Sequence, residues 1–183
     1  MISESSAFHT AIFDALCACL NLSKTSTEAL TLIHEAYAEP ENVPRPPRNR
    51  NVIYWTALQD PASDPVSTEY NADDGTGSRH VPTVCITLKY QLIIVCYGPA
   101  AEEYAHRIRC MLFLDGSGFP RQILREAGIF PIPDPPLPSI LYEEEGSLWR
   151  RRADLTISLR VRDEQTAPAR NSISTAPAVI IRR

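Results

Sequence analysis

The stretch SLWRRRADLTISLRVRDE, Ser147 to Glu164, alternates apolar and polar residues over most of its length. A period of two places successive side chains on opposite faces of a β-strand. One face is apolar, and the other is polar and carries Arg152, Arg160 and Arg162. The pattern therefore predicts a half-buried antiparallel strand whose open face is unusually charged.

Two further segments predict strands, and three predict helices. Asn51 to Leu58 is rich in β-branched and aromatic residues, and Pro82 to Gly98 alternates like the first strand. Apolar residues at helical spacing predict amphipathic helices over 3–20, 100–114 and 119–128. The segment that begins at Ala29 fits a short helix or an edge strand equally well. Composition and periodicity alone thus predict a soluble α+β domain.

Proline divides the remaining chain. Glu39 to Arg50 and Ile129 to Ser139 are proline-rich, and proline cannot donate a hydrogen bond to a sheet. Both segments are predicted to be extended connectors without regular structure. The segment from 163 to 183 has small polar residues and prolines before a final apolar tip, so we predict one domain over 1–162 followed by a linker and arm.

A long polar loop is predicted over Gln59 to His80. Loops of this length in a compact domain are usually functional or disordered, and this one could order only on assembly. Its acidic residues are Asp60, Asp64, Glu69, Asp73 and Asp74.

The composition excludes several classes of protein. A formal net charge of −4 argues against tight phosphate binding to nucleic acid. No apolar run approaches the roughly 18 residues that span a bilayer, and the N-terminus lacks the pattern of a signal peptide, so we expect a cytoplasmic product and no membrane partner. The chain has five cysteines and no C-x-x-C pair, which argues against a metal site and against a disulfide framework.

No sequence motif predicts catalysis or the binding of a metal or cofactor. We expect no catalytic residue, no metal and no cofactor, because no acid, base and nucleophile converge in a recognisable pattern. His106 and Cys110 have helical i, i+4 spacing, but two ligands do not make a metal site. The default interpretation of the cysteines is small buried thiols. The alternative is that one exposed thiol crosslinks neighbouring copies in an oxidising medium.

The run YEEEGSLWRRR places two blocks of opposite charge close together. Glu143, Glu144 and Glu145 precede Arg150, Arg151 and Arg152. One interpretation is a solvated strand that mixed charges keep soluble. The other is that the acidic and basic ends meet complementary ends on adjacent copies and fix their register. An apolar arm tip, Val179, Ile180 and Ile181, could add an edge strand to a neighbour.

The order of these pieces resembles a known family. A helix, the segment PENVPRPPRNRNVIYWTAL, a long loop, a strand ending in YGPAAEEYAHRIRCML, then LREAGIFPIPDPPLPS and LWRRRADLTISLRV, is similar to the tail-completion and neck proteins of tailed bacteriophages. The most specific local pieces are GPAAEEYAHRIR, AGIFP followed by prolines, and WRRRADLTISLRV. The similarity extends over about Leu32 to Val161, judged by element order.

The resemblance implies a structural virion protein, assembled in the bacterial cytoplasm. It implies helices packed on one face of an antiparallel sheet, with Thr31 to Glu39 as the first strand, in a subunit that forms a ring, commonly a hexamer. Such a ring terminates the tail tube at its head-proximal end and joins it to the neck or connector, with the sheath as a further neighbour. DNA would pass through the lumen without specific binding. The acidic loop would then face the lumen or dock on the tube, and the charged strands and the arm would form the subunit interface.

Three hypotheses follow for function. The first is a tail terminator, and the second is another neck ring between connector and tail. The third, from a different class, is a small enzyme or binding domain that uses a pocket near His106 and the long loop. A concentration-dependent ring would favour the first two, whereas a strict monomer that is stabilised by a small molecule would favour the third.

Overall fold

Two long antiparallel strands form the centre of the sheet in the computed structural model. The structure describes residues 6–36, 49–60, 66–73, 79–116, 118–133, 136–145, 148–166 and 170–171. The helices are α1 (Ser6–Cys19), α2 (Thr27–Leu32), α3 (Ala101–Met111) and α4 (Pro120–Glu126). The strands are β1 (Ile33–Glu35), β2 (Val52–Gln59), β3 (Val66–Asp73), β4 (Arg79–Tyr97), β5 (Ile129–Pro131), β6 (Ser139–Glu145), β7 (Leu148–Thr166) and β8 (Arg170–Asn171).

The sheet has the order β1-β2-β4-β7-β5 along its main path. Strand β3 pairs with the first half of β4, β6 pairs with the first part of β7, and β8 pairs with the start of β4. All pairs are antiparallel except β1 with β2. The two long strands β4 and β7, of 19 residues each, therefore bind every other strand except β1.

One face of the sheet carries the core. The inward side chains of β7 are Ala153, Leu155, Ile157, Leu159 and Val161, and all are buried. They lie opposite Cys96, Ile94, Leu92, Tyr90 and Leu88 of β4. Helices α1, α3 and α4 pack their apolar stripes on this face, including Phe8, Ile12, Ala105, Ile108 and Leu124. The predicted α+β class, with helices on one face of the sheet, is confirmed.

The helix starts follow local chemistry. Ser26 Oγ accepts a hydrogen bond from Ala29 N at 3.1 Å and caps α2. At α3 the cap comes from a residue directly before β2, since Asn51 Oδ1 accepts a hydrogen bond from Ala100 N at 2.9 Å. Pro120 stands in the first turn of α4, where its missing N–H costs nothing. None of the helices in the described parts of the chain is long and apolar enough to cross a bilayer.

The predicted first strand over Thr31 to Glu39 is partly wrong. Helix α2 continues to Leu32, and only Ile33–Glu35 forms a strand, which pairs in parallel with β2. Residues 37–39 lie outside the described part of the chain. Both earlier alternatives therefore occur in succession, because the Ser26 cap nucleates a helix that the pairing with β2 then ends.

The predicted loop over Gln59 to His80 is also wrong. Val66–Asp73 forms β3, and β4 already begins at Arg79. Among the described strands, β3 pairs only with β4, in a register that places Asn71 opposite Pro82. The segment does alternate, since polar residues separate Val66, Tyr70 and Ala72, and β3 forms a hairpin with β4, the next strand along the chain. The proline, glycine and aspartate residues around this short strand favoured the interpretation as a loop.

Two more boundaries differ from the prediction. Ile129–Pro131 is a short strand that pairs with β7. This strand tolerates Pro131 because it has a partner on one side only among the described strands. Strand β7 continues beyond residue 162 to Thr166, where Thr166 lies opposite Thr83, and β8 follows. The start of the predicted linker is therefore part of the sheet, because β4 is long enough to pair with it.

Candidate assembly interface

Strands β6 and β7 form a hairpin that presents an open sheet edge. Their register runs from Ser139 opposite Asp154 to Glu145 opposite Leu148. Among the described strands, β6 pairs with β7 alone. The hairpin also extends past the end of β4, whose last pair with β7 is Tyr97 with Arg152. An exposed edge of this kind is a natural template for another chain.

The helix-side face of the hairpin carries exposed apolar side chains. We call Ile140, Tyr142, Glu144 and Trp149 the hairpin patch. The register places Tyr142 opposite Arg151 and Glu144 opposite Trp149. Tyr142 is 62% exposed and Trp149 is 65% exposed. Large aromatic side chains grouped in solvent are typical of a protein-protein contact.

The opposite face of the hairpin holds a polar cluster around Tyr97. Tyr97 Oη donates a hydrogen bond to Glu143 Oε2 at 2.9 Å, and Arg152 Nη1 lies 3.6 Å from the same oxygen. Arg152 also donates to both oxygens of Asp154, at 2.6 and 2.8 Å. Burial, and then the hydrogen bond to Glu143, raises the pKa of Tyr97 to about 12. The bonds to Asp154 raise the pKa of Arg152 further above its usual value, so this cation stays charged.

Arg150 is unusual because it is a buried cation that forms no ion pair with a carboxylate of the described residues. It is 7% exposed, and its Cζ lies 4.5 Å from the centroid of the Tyr97 ring. Its Nε and Nη2 have no hydrogen-bond partner in the described part of the chain. The ring face offsets part of the cost of burying this charge, whereas a buried donor that makes no hydrogen bond costs stability.

Arg151 fastens the hairpin to the helical layer. Its Nη2 donates to Glu102 Oε2 in the first turn of α3. Its carbonyl accepts a hydrogen bond from Gly98 N at 3.3 Å, at the turn between β4 and α3. The base of the hairpin is therefore held on two sides, while Glu144 and Trp149, farther along its two strands, are exposed.

Most of the charged side chains predicted to lie at the interface are paired within the chain or buried, so they are not available together for a partner. Glu143 and Arg152 pair within the chain, Arg151 pairs with Glu102, and Arg150 is buried. Glu144 is exposed and makes no ion pair with any described residue, and Glu145 ends β6 opposite Leu148. Val179, Ile180 and Ile181 lie outside the described residues. A role for this set in subunit contact stays a prediction.

Arg160 and Arg162 lie far along β7, on the open face of the sheet. Arg160 stands directly opposite Lys89 on β4 and Phe130 on β5. Leu58, exposed on β2, lies opposite Gln91 in the next row of this face. We call Lys89, Arg160, Phe130 and Leu58 the basic patch. Arg162 donates from Nε to Cys85 Sγ at 3.0 Å.

The predicted acidic loop residues are dispersed. Asp60 follows β2, where its N–H donates to Lys89 O at 2.9 Å. Glu69 and Asp73 belong to β3, and Asp64 and Asp74 lie outside the described residues. Their common role at a lumen or a tube surface is untested and stays a prediction.

Sequence reasoning missed the two patches. Ile140, Leu141 and Tyr142 are consecutive apolar residues in an edge strand, and such a run leaves apolar side chains on both faces. That run was the available signal for the hairpin patch. No comparable signal marks the basic patch, because only the register of three strands brings Lys89, Arg160 and Phe130 together.

Only one of the five thiols is exposed, and we expect it alone to react rapidly in the folded protein. Cys110 is exposed, whereas the other four are buried. Burial raises the pKa of Cys17 to about 11 and that of Cys96 to about 12, and it raises the pKa of Cys19 as well. Titration with an aromatic disulfide at pH 8 should show one fast equivalent, which Cys110→Ser removes. Two or more fast equivalents in the native protein would contradict this expectation.

The described residues have the surface features of a structural subunit. They contain no group of three or more His, Cys, Asp or Glu that could hold a metal ion. Their most prominent surface features are an open edge, exposed aromatic side chains and paired charges, which are the properties of an assembly subunit.

The comparison with protein families agrees with this class. A family model described as phage neck terminator protein matches residues 9–182, and the chain belongs to that family. It is thus a structural bacteriophage protein of the neck, a virion component that meets other tail and neck proteins. The resemblance to tail-completion and neck proteins is confirmed. No curated protein matches the chain.

Proposed function

We propose that this protein is a tail terminator whose copies form a ring on the head-proximal end of the tail tube. The ring caps the tube and joins it to the neck or connector. The observation that carries this proposal is the hairpin patch on an open edge, in a chain that belongs to the phage neck terminator family. Exposed aromatic side chains beside a strand edge that has no partner among the described strands favour a contact between subunits.

The proposal includes partners and location. A hexameric ring would touch the tail tube protein, the connector and, in a contractile tail, the sheath, and it would be assembled in the host cytoplasm. The net charge of −4 favours a lumen that repels the DNA backbone, so the duplex would pass without specific binding. Asp60, Glu69 and Asp73 are our candidates for the lumen or the tube contact. The role needs no catalysis or cofactor.

Electron microscopy of particles from a phage that lacks this gene tests the proposal. We expect tails of irregular or excessive length that carry no heads, because nothing would stop tube growth or present a surface to the connector. Expression of the wild-type chain from a plasmid should restore uniform tails with heads. Intact virions without the gene would contradict the proposal.

A second candidate is a neck ring between the connector and the tail. It is favoured by the family description, which names the neck as well as termination. The same micrographs separate the two roles. Tails of normal length that fail to join heads would assign the protein to the neck and not to tube termination.

A further inference from the structure

We infer that the hairpin patch of one copy docks on the basic patch of the next copy. This inference rests on the proposed ring, and it names the two surfaces that build it. Glu144 would lie beside Lys89 and Arg160 of the neighbour, while Tyr142 and Trp149 would cover Phe130 and Leu58.

The basic patch has an electrostatic reason to bind an acidic group. Lys89 and Arg160 are direct cross-strand neighbours on the open face. Two like charges in this position repel and destabilise the pair. Both side chains are exposed, and neither forms an ion pair with any described residue. A carboxylate brought between them would replace this repulsion with two attractions.

Glu144 is the carboxylate best placed to supply that charge. It is exposed and without an ion pair in the described part of the chain, unlike Glu143, which Tyr97 and Arg152 already hold. Trp149 stands directly opposite Glu144. The hairpin patch thus offers one negative charge with an aromatic ring beside it, and the ring can also lie against an Arg or Lys.

The apolar residues of the two surfaces also match. Phe130 is 38% exposed and Leu58 is 53% exposed, on either side of the two cations. The row Lys89, Arg160 and Phe130 crosses three strands, a span of about 10 Å at ordinary strand spacing. Two aromatic side chains of a hairpin can cover such a row. Burial of aromatic side chains at the centre with charges around them is the usual arrangement of a stable contact.

The placement of the patches favours a ring over a closed dimer. The hairpin patch lies on the helix side of the sheet near the start of β7, and the basic patch lies on the open face toward its other end. The two surfaces do not overlap, so each copy can use both at once. A contact between two different surfaces is heterologous, and it generates a ring when its rotation closes.

Charge reversal tests the pairing in the purified full-length chain. Glu144→Lys and Arg160→Glu are each expected to raise the concentration for half-maximal assembly by at least about tenfold, because each places like charges together. The chain that carries both changes should assemble at a concentration between those of the single reversals and that of wild type. The two reversed charges attract each other, while Lys89 repels the new positive charge at position 144. Native mass spectrometry or sedimentation over a concentration series measures this.

The Arg160→Glu variant separates assembly from folding. The introduced carboxylate would stand opposite Lys89, so the repulsion within the subunit becomes an attraction. We therefore expect an unchanged or slightly higher unfolding midpoint together with weaker assembly. Lys89→Glu is a second variant with the same expected pattern. Glu126→Lys, an exposed reversal on α4, is the matched control and should assemble like wild type.

The outcomes distinguish the inference from the proposed function. If wild type forms rings and the single reversals assemble equally well, the pairing is wrong while the ring proposal stands. If wild type forms no ring at any concentration, the proposed function fails and the inference with it. If Arg160→Glu leaves the ring unchanged but removes binding of a DNA duplex, the basic patch is a phosphate site and the inference is overturned.

Discussion

Replacement of Tyr142 and Trp149 together by serine is expected to abolish ring assembly and leave a folded monomer. Both side chains are mostly exposed in the subunit, so their removal costs the monomer little stability. In a subunit contact they would be the large aromatic anchors, and such anchors commonly contribute about 2 kcal/mol or more each. Together they should raise the assembly concentration by more than about a hundredfold.

Leu30→Ser provides the matched control for this prediction. Leu30 is 58% exposed on α2, away from the hairpin. The substitution removes an apolar side chain about as exposed as Tyr142 and Trp149, and it should leave assembly unchanged. Sedimentation measures the assembly state, and circular dichroism verifies the fold. A double variant that still forms rings at the wild-type concentration would exclude the hairpin patch from the interface.

The second large effect is expected at the turn between β4 and α3. Gly98 has φ +106°, and an added Cβ would lie 2.6 Å from Asn51 Oδ1 and 2.7 Å from Arg50 O. Because the backbone of residues 50 and 51 must move, the hydrogen bond from Ala100 N to Asn51 would also be disturbed. We expect Gly98→Ala to lower the free energy of unfolding by about 3 kcal/mol or more.

Gly118→Ala separates steric conflict from backbone strain at Gly98. Gly118 also has a positive φ, +77°, but no atom of the described non-neighbouring residues lies within 4 Å of an added Cβ. Its substitution should cost about 1 kcal/mol, from the strained conformation alone. Urea denaturation of both variants gives the comparison. Equal losses would mean that contact with Arg50 and Asn51 contributes nothing.

The strands and helices with one apolar face can be predicted from the sequence, because apolar periodicity is a local pattern. Strands β4 and β7 and helices α1, α3 and α4 all have one apolar face on the core, so their alternation or helical spacing is visible locally. The prediction failed at β3 and β5. Strand β3 is short and alternates, but the proline, glycine and aspartate residues around it favoured a loop. Strand β5 contains a proline and is held by pairing with residues of β7 far along the chain, and such pairing leaves no periodic signal.

The candidate interface, too, is partly predictable from the sequence and partly decided by the tertiary structure. The charged run from Glu143 to Arg152 is conspicuous in the sequence and does lie on one hairpin. Which of its charges are available is a tertiary result, since Tyr97 binds Glu143, Asp154 binds Arg152 and burial encloses Arg150. Tyr97 lies on β4, and Asp154 lies two residues beyond Arg152 on the same face of β7.

The sequence by itself determined the α+β class, the half-buried strand over Ser147 to Glu164 and the resemblance to phage neck proteins, because apolar period and element order are local properties. The tertiary structure alone decided that Trp149 and Tyr142 stay exposed on an open edge and that Lys89 stands opposite Arg160. Exposure and cross-strand neighbours depend on register, and register is set by the packing of the whole sheet on its helices.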